Sequence, residues 1–357
     1  MSLILIRYGE LALKSHKVRR RFEEHLVEGI SRQFEHHGLD WIIEREQGRI
    51  FLHTSHKNQE KAIDILTHIP GIFSVSPVED FEIVKGMETI LDESERFAQG
   101  RILPGQTFVV RARRAGSHAF TSQEAAALVG ERILDTIPNL KVKLKHPEVT
   151  IYLEIRGKQG FLFTSQTRGM GGLPPGSQGK VILLLSGLNS MVAGYLMMKR
   201  GCRILPVHFS EGTRDREATN DGSGDNETTN EGTREKETTN DGSGDEETTK
   251  DGAGEKETTN EDAMEVHSIM SSFEPGMKLT MIRGSLDRET IRTLLRQEDA
   301  GGLVTGVRYS TWSNSLHIPG EPLFQPLMGL DDTEVELIGS EMKEFHQRTR
   351  IQSTEEM

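Results

Sequence analysis

A chain of 357 residues leaves room for two or three domains, and its single cysteine, Cys202, excludes an internal disulfide and fits a reducing cytosol. No apolar run approaches the roughly 20 residues of a membrane span, and the opening MSLILIRYGE reads as a strand rather than a signal peptide, so a soluble, cytoplasmic protein without a membrane partner is expected. The formal charge of −12 argues against a nucleic-acid partner only until it is located: residues 211–262 carry 18 Asp or Glu against 6 Lys or Arg, while residues 107–180 carry 11 Lys or Arg against 5 Asp or Glu.

In chain order, LILIR at residues 3–7 predicts a strand. Val18, Phe22, Leu26, Ile30 and Phe34, at steps of four, predict a helix over 18–37 with one apolar face. RIFLHT is a second strand and residues 59–68 a second helix. SVSPVEDFEI reads as the start of another unit, with a helix over 86–99, the strand FVVRARR at 108–114, a helix over 121–136, and the strands VTIYLEI at 149–155 and GFLFTSQ at 160–166. Strands and helices interspersed with hairpins indicate α+β modules. RGMGGLPPGSQG at 168–179 is a linker rich in glycine and proline. After it, VILLLS, a helix, RILPVHF, a helix over 263–273, KLTMIRG, a helix over 287–297, GLVTG and a closing helix over 332–346 alternate as in a doubly wound parallel sheet.

Residues 211–262 interrupt this pattern. REATNDGSGD, NETTNEGTRE, KETTNDGSGD and EETTKDGAGE repeat with a period of ten, without an aromatic residue or an apolar one larger than alanine. Ordering costs about 1–2 kcal/mol per residue, and this segment has no apolar surface to offset it, so a disordered acidic insertion is expected. DGSGD resembles a loop of oxygen ligands, but the closing bidentate Glu and the flanking helices of a calcium site are missing. The insertion follows RILPVHF directly, which puts it at the carboxyl edge of the sheet, where ligands of open α/β sheets bind.

The stretch KVILLLSGLNSMVAGYLMMKRG at 180–201 has the layout of a phosphate-cradling loop: buried strand, Ser-Gly turn, helix. It is a near-match to the pyrophosphatase loop (PP-loop), usually SGGxDS. Here the turn is Ser186-Gly187-Leu188-Asn189-Ser190, one glycine short and with Asn in place of Asp.

RYGELALKSHKVRRRFEEHL (7–26), FVVRARRAGSHAFTSQEAAALVG (108–130), VKLKHPEVTIYLEIR (142–156), RGMGGLPPGSQGKV (168–181), LVTG and PLFQPLMGLDDTEVELIGSEM together resemble a ThiI-type tRNA 4-thiouridine synthase. The resemblance implies a ferredoxin-like domain at 1–78, a THUMP RNA-binding domain at 79–167, a linker at 168–178, a PP-loop domain at 179–346 carrying the insertion, and a tail at 347–357. The fold class is then α+β in the N-terminal part and an α/β doubly wound parallel sheet in the rest. It also implies tRNA as partner, ATP and Mg as cofactors, adenylation of a uridine oxygen, delivery of sulfur from a cysteine persulfide or a sulfur donor protein, and leaves a homodimer open.

The resemblance places the RNA-binding surface at Arg111, Arg113, Arg114, His118, Thr121, Ser122, Gln123, Lys141, Lys143 and Lys145, with Arg7, Lys14, Lys17, Arg19, Arg20 and Arg21 as an extension of it. It places the nucleotide site at Leu184, Leu185, Ser186, Gly187, Ser190, His208, Phe209 and Gly306, and no metal-ligating residue is assigned. The catalytic candidates are the loop residues Ser186, Gly187, Asn189 and Ser190. Departures from the family pattern are the loop itself, Ser315 where glutamine is expected, the segment STWSNSL at 310–316, and closing residues EFHQRTRIQSTEEM without a cysteine. Cys202, just before RILPVHF, is read as core packing. Three readings follow. One is an ATP-dependent thiolation enzyme with a divergent loop. The second is a non-catalytic tRNA-binding paralogue that keeps the PP-loop domain as scaffold. The third, a THUMP-linked methyltransferase or pseudouridine synthase, finds no Gly-rich cofactor loop after another strand.

Overall fold

In the computed structural model, which describes residues 1–9, 15–46, 48–210, 259–284, 286–308 and 319–354, the first half of the chain forms one continuous sheet. Its elements are β1 (Ser2–Tyr8), α1 (His16–His36), β2 (Ile42–Glu46), β3 (Arg49–Thr54), α2 (Gln59–Thr67), β4 (Ile72–Glu82), α3 (Met87–Gln99), β5 (Thr107–Ala115), α4 (Ser122–Thr136), β6 (Lys141–Val142), β7 (Val149–Arg156), β8 (Gln159–Phe163) and β9 (Thr167–Arg168). The nine strands run in the order β2-β3-β1-β4-β8-β7-β5-β6, with β9 beside β4. Phe22, Leu26, Ile30 and Phe34 of α1 are buried as their spacing requires, against Ile4 and Ile6 of β1 and Ile50 and Leu52 of β3. Val18 belongs to the same four-residue ladder but stays exposed, one turn short of the core.

The segment expected to open a separate unit does something else. SVSPVEDF lies inside the single strand β4, which pairs with β1 through Val78 and with β8 from Glu79 onward. The two modules therefore share a backbone ladder rather than a linker. Strand β2 escaped the sequence reading because its side chains face solvent or are only half-buried, and β6 and β9 because two residues leave no periodic signal.

The helices lie on one face of this sheet, α1 and α2 over one half and α3 and α4 over the other. The opposite face curls on itself. Phe51 of β3 and Phe161 of β8 stack with centroids 4.8 Å apart, although three strand spacings in a flat sheet would separate them by about 14 Å. Leu3, Leu5, Phe51, Val78, Phe161 and Phe163 fill this concave side.

The second half contains β10 (Lys180–Leu184), α5 (Leu188–Lys199), β11 (Arg203–Ser210), α6 (Asn260–Ser271), β12 (Thr280–Arg283), α7 (Arg288–Gln297), β13 (Leu303–Val304), β14 (Leu323–Phe324) and α8 (Asp332–Thr354). The order β12-β11-β10-β13-β14 is parallel throughout, a doubly wound sheet whose strand order reverses beside β10. Helices α5, α6 and α8 cover one face and α7 the other. Two expectations need correction. The acidic repeats at 211–258 lie outside the described residues, but residues 259–262, expected to share their disorder, begin α6: Thr259 and Asp262 form a reciprocal capping box. The closing helix continues eight residues past 346, because residues 347–354 contain neither Gly nor Pro and Phe345 and Thr349 still bury. Among the described residues no helix is long and apolar enough to cross a membrane.

The halves are tied together. The Gln33 amide donates to the carbonyls of Ser272 and Phe273 at 2.9 Å each. The linker is sewn down by Gly71 N–H to Gly171 O at 2.7 Å and Leu173 N–H to Lys199 O at 3.0 Å. His68 of the first half stacks on Phe345 of α8, centroids 3.8 Å apart. Burial holds the His68 imidazole below its ordinary value of 6.5, against the opposing pull of the Asp64 carbonyl and carboxylate, with Arg348 lowering it further and Glu341 raising it. A neutral His68 is thus favoured by docking, so the contact contributes fully above pH 6.5 and weakens as pH falls below it. Thermal midpoints measured between pH 7.5 and 5.5 should fall at the acid end, and His68→Phe should flatten that part of the profile.

Candidate nucleotide and RNA sites

Strand β10 delivers the chain to the switch point, and the loop after it is shaped by Gly187. With φ 84° and ψ −153° as N-cap of α5, it occupies backbone space that side chains with a Cβ rarely adopt. Ser190, fully buried, fixes the turn from inside: its hydroxyl donates to Gly187 O at 2.7 Å and accepts from Ser186 N–H at 2.9 Å. The α5 N-terminus carries no side-chain cap, so its first N–H groups and the dipole behind them are open to an anion. Gly306, following β13, comes so close that an added Cβ would stand 2.5 Å from Ser190 N and 2.6 Å from Asn189 C. Ser186, Gly187, Asn189, Ser190 and Gly306 are therefore brought together at the carboxyl edge.

The remaining predicted nucleotide residues are placed differently. Leu184 and Leu185 are buried in the two cores on either side of the sheet, which leaves their backbones for a ligand, and the half-buried Phe209 packs on the α7 side. His208 is 2% exposed and neither ring nitrogen has a hydrogen-bond partner among the described residues. It lies near enough to Asp262 to help hold that carboxylate below its ordinary range, although the hydrogen bonds from Thr259 do most of this. Ser315 and the segment at 310–316 fall outside the described residues.

This edge suits phosphates better than a metal. The loop offers the exposed Ser186 hydroxyl, the Asn189 carboxamide and backbone N–H groups. Among the described residues no group of three or more His, Cys, Asp or Glu is placed to hold a metal ion. Magnesium, if present, would have to be carried largely by the nucleotide's own phosphates. Cys202 is buried at 7% exposure, and burial pushes its thiol up, which keeps it protonated and away from nucleophilic chemistry.

The basic residues converge on a second place. In β5, Arg111 and Arg113 share a side of the sheet with Tyr152 and Glu154 of β7, their register partners, opposite the face that α4 covers. The start of α4 closes the other side. A cleft of about 530 Å³ results, lined by Arg7, Arg111, Arg113, Ser122, Gln123 and Glu154, among others. Of the ten predicted RNA residues, Arg111, Arg113, Ser122 and Gln123 line it. The Thr121 hydroxyl is engaged in the α4 capping box with Glu124, and His118 meets the Gly157 carbonyl at 3.0 Å. Arg114 turns to the opposite side, its guanidinium donating to Gly116 O at 3.3 Å. Lys141, Lys143 and Lys145 stand exposed along the edge at β6, outside the cleft, where Arg111 reaches Leu144 O at 3.4 Å. Lys14 lies outside the described residues, and Lys17, Arg20 and Arg21 point to solvent.

The cleft floor was not foreseen. Glu154, 4% exposed, meets Arg156 Nε at 2.8 Å, Arg49 Nε at 3.1 Å and Arg7 Nη2 at 3.4 Å. Arg7 also donates to Ser76 Oγ at 2.9 Å and sits 4.6 Å over the Phe163 ring. Burial brings the Arg7 guanidinium down to about 10 despite Glu154. For Glu154, burial pushes upward, but Arg49, Arg156 and Arg7 together outweigh it and hold the carboxyl below its usual range. The sequence signal was available: YLEIR places Glu154 and Arg156 at alternate positions of an otherwise apolar strand.

Comparison with known proteins follows the same division. Residues 3–76 match the ThiI ferredoxin-like domain, 84–165 the THUMP domain and 176–224 the domain described as thiamine biosynthesis protein (ThiI). A probable tRNA sulfurtransferase of Methanobrevibacter smithii is 38% identical over 216 residues, covering 58% of this chain and 53% of the relative. The chain spans about half the length of such curated relatives. Among solved structures, a protein from Pyrococcus horikoshii Ot3 superposes with a TM-score of 0.70 at 23% identity, over 96% of this chain and 100% of the other. A 4-thiouridine synthetase crystallised with RNA and bound ATP gives 0.67 at 22% identity, over 98% and 86%. These structures share the fold.

Proposed function

We propose that this chain, a relative of the tRNA sulfurtransferases with the ThiI-type ferredoxin-like, THUMP and ThiI domains, binds tRNA in the arginine cleft of its first half and serves in the formation of 4-thiouridine. The observation that carries this reading is the convergence of Arg111, Arg113, Ser122 and Gln123 with Arg7 on one cleft. Five cationic or polar groups gathered in one cleft suit the sugar–phosphate backbone of an RNA end better than a flat basic face would.

The nucleotide half of the reading rests on Gly187, Ser190, Gly306 and the open α5 N-terminus, which together form a backbone cradle for phosphates. In the reaction implied by the family, ATP adenylates a uridine oxygen with release of pyrophosphate, and sulfur from a donor then takes the place of the AMP-bearing oxygen. The cradle would orient the phosphates, and the RNA cleft would hold the substrate. Asn189 in the loop, where a carboxylate is usual, favours a second reading, in which the cradle binds nucleotide without turning it over and the domain acts as scaffold.

Incubation with Mg-ATP, unmodified tRNA and sulfide separates the two. Pyrophosphate release and thiolated tRNA establish the enzyme; tRNA binding with neither product establishes the scaffold. A protein that binds no tRNA in low salt contradicts both.

A further inference from the structure

A carboxylate on the floor of an RNA-binding cleft should repel RNA, so Glu154 must do something else there. We propose that Glu154 is a positioning residue for the cleft: it gathers Arg7, Arg49 and Arg156 and holds the curled sheet in the shape that presents Arg7, Arg111 and Arg113 to a phosphodiester. The inference rests on the proposed tRNA-binding role.

Geometry supports it first. Arg49 belongs to β3 and Glu154 to β7, four strands apart in the order β3-β1-β4-β8-β7. Flat pairing would put those strands about 19 Å apart, yet Arg49 Nε and Glu154 Oε1 are 3.1 Å apart. One oxygen of Glu154 takes Arg49 and Arg156, and the other takes Arg7, at 3.1, 2.8 and 3.4 Å. The carboxylate therefore links strands of the ferredoxin-like and THUMP modules across the concave face. The stacked pairs Phe51–Phe161 and Tyr152–Phe163, centroids 4.8 and 4.9 Å apart, fill the same hollow.

Charge supports it next. Glu154 is 4% exposed and supplies one negative charge to three guanidinium groups, of which those of Arg7 and Arg156 are also buried, with residues 6% and 8% exposed. The cluster keeps a net positive charge that opens toward the cleft through Arg7, where Arg111 and Arg113 add to it. Removing the carboxylate would leave three mutually repelling guanidinium groups without the shared acceptor that draws Arg7, Arg49 and Arg156 together.

The test exploits opposite signs. If Glu154 were only a nearby negative charge, Glu154→Gln would tighten RNA binding. Positioning predicts the reverse: at least tenfold weaker tRNA binding, a log–log salt slope reduced by about one to two, and partial rescue by Glu154→Asp. Arg49→Lys, which keeps the charge but loses the Nε contact, should weaken binding in the same direction; it carries the test if Glu154→Gln does not fold. Circular dichroism and the thermal midpoint confirm which variants are folded. A folded Glu154→Gln or Arg49→Lys that binds tRNA as well as the parent, with an unchanged slope, overturns the inference. A parent chain that fails to bind tRNA overturns the functional reading instead.

Discussion

Replacing Arg111 and Arg113 together with alanine is expected to weaken tRNA binding roughly 100-fold at moderate salt, while Arg114→Ala changes it less than about threefold. The three residues are neighbours in one strand, FVVRARR, but β5 alternates. Arg111 and Arg113 face the cleft with Tyr152 and Glu154, whereas Arg114 pairs in register with Ile155, which is buried among the helices. Both cleft arginines are exposed, and among the described residues Arg111 donates to the Leu144 carbonyl and not to a carboxylate. A charge-assisted hydrogen bond contributes about 1.5–3 kcal/mol, and exposure to solvent puts each of these at the lower end. The double variant should also lower the slope of log affinity against log salt by about two. Filter binding or fluorescence anisotropy at several salt concentrations reads both quantities. Equal losses in the Arg114 variant would mean that a diffuse basic surface, and not the cleft, holds the RNA.

The second large effect is expected at Gly306. Its replacement by alanine should destabilise the second half of the chain by about 1–3 kcal/mol and abolish or strongly weaken Mg-ATP binding. The new methyl group would stand 2.5 Å from Ser190 N and 2.6 Å from Asn189 C, both backbone atoms. Those atoms cannot step aside cheaply, because Ser190 is anchored by its hydroxyl to Gly187 O and Ser186 N–H. Either the cradle is pushed out of shape or the β13–α5 contact opens. Calorimetric ATP titration and a thermal melt check the two consequences. A variant with unchanged melting and unchanged nucleotide affinity would show that the approach of Gly306 to the loop has no bearing on the site.

How far the sequence could be read depended on whether a residue's role was local. The α1 ladder from Phe22 to Phe34 is visible as a period, because burial of one helix face imposes it. The β10–Gly187–α5 layout is visible because strand, turn and helix lie next to one another in the chain. The curl of the N-terminal sheet is not local. It brings Arg49 to Glu154 across 105 residues, and nothing in RIFLHT or YLEIR announces that the two will meet. Continuity of β4 was hidden by Pro77 and by the charged alternation in VEDFE, which mimic a loop. The start of α6 was masked by composition: Thr259 and Asp262 look like one more copy of the acidic repeat until the box they form is seen. Among the RNA candidates, the strand period explains why Arg111 and Arg113 meet in the cleft and Arg114 does not. The exposed lysines at 141, 143 and 145 remain an edge beside it.

The most direct test of the central claim, that the cleft between β5, β7 and α4 holds tRNA, is a crosslinking measurement. A photoreactive benzoylphenylalanine placed at Gln123, on the cleft rim, and another at Leu134, exposed on the far part of α4, can be compared at low and high salt with unmodified tRNA. The cleft account predicts strong crosslinks from position 123 that fall steeply as salt rises, and few from position 134. Equal crosslinking from both positions, or none from position 123 under conditions where the tRNA is bound, would contradict it.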